Sequence, residues 1–218
     1  MGSTRKHSVF RIAHGWNVRC AGEISTSLVC DFIRPAVRAI PPAIVRQLGC
    51  CHISINEALD GPTIASRWTL TDARLEISLA VGARDGHEVA LELLVCLGQA
   101  LWERLPDARR KAYWLVLDDE ICAGVAGEID QDALNEKRLL LASRNSARSR
   151  RRLERYGAAS FAGTAAEYIH ALWHDVGVRT GFRFLPAEQL KQRLELLVQW
   201  FPPRRGYRLF PVSPSCSE

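Results

Sequence analysis

Residues 74–105 read RLEISLAVGARDGHEVALELLVCLGQALWERL, and two periodicities meet there. From Arg74 to Val81, Leu75, Ile77, Leu79 and Val81 alternate with Arg74, Glu76, Ser78 and Ala80, the period of a strand with one buried face. After the loop Gly82-Ala83-Arg84-Asp85-Gly86, the apolar run His87 to Leu105 contains no proline and is too long for a strand. It reads as a helix. Its apolar residues Val89, Leu91, Leu93, Leu94, Val95, Leu97 and Leu101 cover most of the circumference, which predicts a central, buried position.

Upstream, Pro41-Pro42-Ala43-Ile44-Val45-Arg46-Gln47-Leu48-Gly49 has prolines where a first helical turn tolerates them and glycine at its end, so a short helix is expected. CHISINEAL alternates His52, Ser54 and Asn56 against Ile53 and Ile55, a half-buried strand in which His52 has no chemical role. Ile64 to Leu70 reads as a further strand. Before about Arg34 the periodicity is weak, and the expectation is irregular chain or one short strand at Leu28 to Ile33. Beyond Pro106 the pattern is helical, with segments at 107–117, 130–142, 160–176 and 186–200, and a Pro- and Gly-rich tail over 202–218. Strands followed by helices place the chain in the α+β class. A small N-terminal mixed sheet packs on the central helix, and a helical C-terminal lobe follows. One domain over 1–218 is expected, with a strand-rich lobe at 35–105 and a helical lobe at 106–201.

The composition, 47% hydrophobic and 24% charged over 218 residues, is that of a globular protein. Arg5, Lys6, Arg11 and His14 interrupt any signal-like apolar core near the start, and the longest apolar window, Leu93 to Trp102, is too short to span a bilayer. The seven cysteines lack C-x-x-C pairs and read as reduced thiols. A cytoplasmic protein with no membrane partner is expected. The net charge of +5 is concentrated in RNSARSRRRLERY, where Arg144, Arg148, Arg150, Arg151, Arg152 and Arg155 face a lone acid, Glu154. This run reads as a solvated helix face or connector, or alternatively as a module meeting an acidic partner or nucleic acid.

Two constellations carry chemistry. In DGHEVALELL, His87 and residue 91 share a helix face, with Glu88 turned about 100° from them. Zinc helices of the H-E-x-x-H type place histidine at both positions, and here the second is Leu91. In AAEYIHALWHD, Glu167, His170 and His174 stand at i, i+3 and i+7 on one helix face, ligand types that Zn²⁺ favours. Each glutamate also has a structural reading. Asp85 with Glu88, and Thr164 with Glu167, have the spacing of a capping box.

From Pro41 to Asp175 the chain resembles the zincin metallopeptidases, in particular the gluzincin branch that includes the anthrax lethal factor catalytic domain. The resemblance rests on PPAIVRQLGCCHISI, RLEISLA, HEVAL and AAEYIHALWHD. It implies His87 as first zinc ligand, Glu88 as general base and Glu167 as third protein ligand. Leu91 departs from the family at the second ligand. The resemblance therefore implies a peptidase scaffold with an incomplete zinc site, weakly active or inactive, and a peptide- or protein-binding role for its cleft. The alternatives are a metalloprotein with a rearranged site of His87, Glu167, His170 and His174, and the basic module above. No G-x-S-x-G elbow, Walker loop or G-x-G-x-x-G is present, and Cys96 between Val95 and Leu97 has the surroundings of an inert thiol.

Overall fold

A computed structural model describes residues 7–22, 24–60, 64–142, 146–174, 184–205 and 209. Strands β1 (His7–Arg11), β2 (Asn17–Ala21), β3 (Cys50–Asn56), β4 (Ser66–Leu70) and β5 (Arg74–Ala80) form one mixed sheet in the order β1-β2-β3-β5-β4. The three central strands, β2, β3 and β5, are parallel, and both edge strands run antiparallel to their neighbours. The alternation seen in the sequence decides which face is buried. Val18, Cys20, Cys51, Ile53, Ile55, Leu75, Ile77 and Leu79 point into the core, while Arg19, His52, Ser54 and Glu76 remain on the open face.

The buried face is covered by α3 (Gly86–Glu103), which touches β4 and β5 on one side and α6 (Ser146–Trp173) on the other. Ten of the 18 residues of α3 are buried, including Val89, Leu93, Leu94, Leu97 and Leu101. Each such leucine contributes about 1.5–3 kcal/mol on burial, so this helix is the axis of the core. α1 (Arg34–Ala39) and α2 (Pro42–Leu48) connect β2 to β3. The helical lobe adds α4 (Asp107–Cys122), α5 (Gln131–Leu141) and α7 (Ala187–Trp200) around α6. The α+β class, the mixed sheet and the central helix match expectation. No helix among the described residues is long and apolar enough to cross a membrane.

Three expectations are corrected. Leu28 to Ile33 is a π-helical segment running into α1, and the strands of this region lie earlier, in β1 and β2. Leu28, Val29 and Ile33 are buried on one side of that helix, so an apolar run of strand length is helical here. The hairpin strands are only five residues long, and their turn hides in IAHGW. There His14 and Gly15 adopt φ of +64° and +73°, the signs required at both centres of a tight hairpin turn. The ring Nε2 of His14 donates to the carbonyl of Val37 at 3.0 Å, and the indole of Trp16 donates to that of Gly49 at 3.0 Å. These two bonds tie the hairpin to α1 and to the start of β3.

The helix expected at 160–176 begins at Ser146, so the arginine run is its first half. Consequently Thr164 is not a cap. It lies within α6, donates to the Ser160 carbonyl at 2.8 Å and accepts from the Tyr113 hydroxyl at 2.7 Å. Of the expected tail, 206–208 and 210–218 lie outside the described residues, as does Arg144.

Candidate functional site

The start of α3 is built by a capping box. The Asp85 carboxylate accepts the Glu88 N–H at 2.8 Å, and the Glu88 carboxylate accepts the Asp85 N–H at 3.1 Å. Gly86 is required beside them, because a Cβ there would stand 2.4 Å from the ring of Phe32. Glu92, one turn above Glu88, takes a hydrogen bond from the Ser66 hydroxyl of β4 at 2.5 Å. The two carboxylates on this stripe are thus relieved by separate partners, one by a backbone amide and one by a side chain.

His87, in the same first turn, faces α6. Its Nε2 lies 2.9 Å from Nε2 of His170, a hydrogen bond in which one imidazole donates and the other accepts. The His174 ring, just past the end of α6, has its centre 5.6 Å from that of His87 and 5.7 Å from that of His170. Trp173 stacks on His174 at 4.2 Å and also borders His87. His170 is 7% exposed, and its Nδ1 is buried without a hydrogen-bond partner. The nearest carboxylate to that nitrogen is Glu167, at 3.9 Å. The fold therefore brings together His87, Glu167, His170 and His174. Glu88 is placed apart, with its carboxylate turned to the backbone.

These groups have the donor chemistry of a metal centre without its spacing. Among the described residues no set of three or more His, Cys, Asp or Glu side chains is arranged to hold a metal ion. Two imidazole nitrogens on one tetrahedral Zn²⁺ would stand about 3.3 Å apart, given Zn–N bonds of about 2.0–2.1 Å. The observed 2.9 Å is the distance of a direct hydrogen bond. Leu91 offers no donor atom, and the Glu88 carboxylate is engaged by the cap.

A second polar cluster is absent from the sequence expectations above. Arg193 of α7 is fully buried and donates from Nε to Glu120 at 2.8 Å, from Nη1 and Nη2 to Glu128 at 2.9 Å each, and from Nη1 to the Ser160 hydroxyl at 2.7 Å. A further bond joins Arg193 Nη2 to Glu120. Lys137 of α5, also fully buried, stands 3.5 Å from Glu128 and donates to the Gly127 carbonyl at 3.1 Å, and the Tyr156 hydroxyl donates to Glu128. Two cations thus face two carboxylates. The signal was present: Glu120 follows Tyr113 and Leu117 at core spacing, Lys137 follows Ala133 and Leu134, and Arg193 adjoins Leu194 and Leu197. Charges at core-facing positions of amphipathic helices require partners.

In the arginine run, Arg150, Arg151 and Arg155 are exposed, and Arg152 pairs with Glu136 of α5 at 3.4 Å. Comparison of the chain with protein-family models, with curated proteins and with solved structures finds no match.

Proposed function

We propose that this chain is a zincin-like protein whose peptidase set is incomplete, and that it serves as a peptide- or protein-binding pseudoenzyme with weak or no hydrolytic activity. The observation that supports this reading best is the use made of Glu88. A general base must present a free carboxylate to the water it activates, and this one holds the amide of Asp85. Leu91 removes the second ligand, and His87 is hydrogen-bonded to His170. Zinc is the metal this scaffold would take, and His87 and Glu167 are the family ligands still present. The test is Leu91→His. The variant is expected to bind zinc more tightly than the parent by calorimetric titration, with an unchanged circular dichroism spectrum. A folded variant with no gain in zinc affinity would overturn the zincin reading.

A second reading, a metalloprotein with a rearranged site of His87, Glu167, His170 and His174, is favoured by the orphaned Nδ1 of His170 and the three neighbouring rings. Metal analysis of protein purified without added zinc decides it. Stoichiometric metal that disappears in His170→Ala supports this reading. Metal-free protein with no thermal shift in Zn²⁺, Mn²⁺ or Fe²⁺ removes it.

A further inference from the structure

The three parallel strands end together, β2 at Ala21, β3 at Asn56 and β5 at Ala80, and beyond their carboxyl ends lies a cavity of about 690 Å³. Its size is within the range of about 300–1,000 Å³ that encloses small molecules. Its place is where open parallel sheets bind ligands, outside the carboxyl ends of the strands. The backbone explains why two opposite charges meet there. Past the strand ends Val81 N–H bonds to the Asn56 carbonyl at 2.8 Å and Gly82 N–H to the Glu57 carbonyl at 2.9 Å, and a turn closes with Arg84 N–H on the Val81 carbonyl at 3.0 Å. Glu57 and Arg84 therefore flank one junction, and both line the cavity.

Neither charge is neutralised by a described residue. Arg84 donates from Nη1 to the Ala80 carbonyl at 3.0 Å, which steadies the guanidinium and leaves its other N–H groups without an acceptor among the described residues. The Glu57 carboxylate forms no hydrogen bond or ion pair with any described residue, Arg84 included. Apolar side chains complete the wall, Ile24, Leu28 and Phe32 among them. An acid, a base and an apolar surface in one cavity match a molecule with an ammonium, a carboxylate and an apolar side chain.

We propose that this cavity binds such a zwitterion, an apolar α-amino acid or a short peptide, with Glu57 on the ammonium, Arg84 on the carboxylate and the side chain against Ile24, Leu28 and Phe32. The site uses none of His87, Glu88, Glu167, His170 or His174, so it goes beyond the reading above and neither stands nor falls with it. Calorimetric titration of the full chain with L-leucine and with L-leucyl-L-leucine tests it and separates the two sources. One of them binds, and its N-acetylated and amidated forms bind about tenfold more weakly or worse, the loss expected for one charge-assisted hydrogen-bonded contact. Glu57→Gln abolishes discrimination against the acetylated form, and Arg84→Gln discrimination against the amide. The Glu57 carboxylate has no partner among the described residues, so its variant keeps the test open even where Arg84→Gln lowers stability. Absence of binding by either zwitterion at millimolar concentration, or binding indifferent to Glu57→Gln, overturns the proposal.

Discussion

Gly98 of α3 lies directly against the backbone of Ala162 in α6: a Cβ at position 98 would stand 2.6 Å from the Ala162 carbonyl oxygen and 2.8 Å from its Cα. The obstacle is main chain, so a side chain here separates the two helices. Gly98→Ala is expected to lower stability by about 1–3 kcal/mol, despite the better helix propensity of alanine, because overpacking dominates. Because α3 carries His87 and α6 carries His170, the same substitution should also weaken the imidazole contact. Urea unfolding measures the first effect. An alanine variant as stable as the parent would show that the helices are not in backbone contact.

The capping box assigns Asp85 and Glu88 a measurable structural weight. Asp85→Ala should cost about 0.5–2 kcal/mol, the usual price of an N-cap. Thermal unfolding reads the loss, and Asp85→Ser or Asp85→Asn should recover most of it. A variant at Asp85 with no effect would contradict the box.

The network around Arg193 is expected to be the most sensitive site of the helical lobe. Arg193→Met leaves two buried carboxylates with one cation, and removing one partner of a buried pair costs about 3–5 kcal/mol. For a chain of this length, that is a fall in melting temperature of about 10 °C or more.

Burial alone would push the Glu128 carboxyl upward, but its hydrogen bonds and charge pairing with Arg193, aided by Tyr156 and Lys137, hold it below its ordinary value of 4.5. A carboxyl lowered on folding stabilises the native state above its unfolded value, and that contribution disappears as pH falls through the folded value. Stability should therefore decline as pH drops below about 4.5. Asp130, raised by burial, acts in the opposite direction. Denaturant midpoints from pH 7 to pH 3 would show the decline, and Glu128→Gln should flatten it. An unchanged acid limb in that variant would remove Glu128 as its cause.

Thiol labelling distinguishes two adjacent residues. Cys50 is exposed and Cys51 buried, as neighbours on a strand must be when one face meets the core. Burial pushes the Cys96 thiol up to about 12 and raises Cys51 further. At pH 8 a disulfide reagent should modify Cys50 and Cys122 in the native protein, and Cys51 and Cys96 only after unfolding. Native labelling of Cys96 would contradict its placement in the core.

What could be read from the sequence follows from how far each signal reaches along the chain. The strand at Arg74–Ala80 and the helix at Gly86–Glu103 each carry several turns or repeats of one period, and both were expected within a residue or two. The β1–β2 hairpin was missed because each strand has five residues and its turn depends on a left-handed His14, a position sequence patterns seldom mark. Leu28 to Ile33 misled because an apolar run of that length suits a strand or a buried helix equally. The histidines of the candidate site were legible as ligand types. Their meeting across α3 and α6 is expected only as one alternative opened by the resemblance, because the residues themselves do not show the close approach at Gly98 and Ala162 on which it depends.

The buried network also sets a timetable for synthesis. Arg193 lies 73 residues after Glu120 and 65 after Glu128. At translation rates of about 5–20 residues per second, the two carboxylates exist for several seconds before the cation that lets them enter the core. α4 and α5 therefore cannot reach their final packing on the nascent chain until α7 has left the ribosome. The sheet and α3 need no residue from that late segment to pair their own strands, so the N-terminal half can begin to fold while the helical lobe is still waiting for its last ion pair.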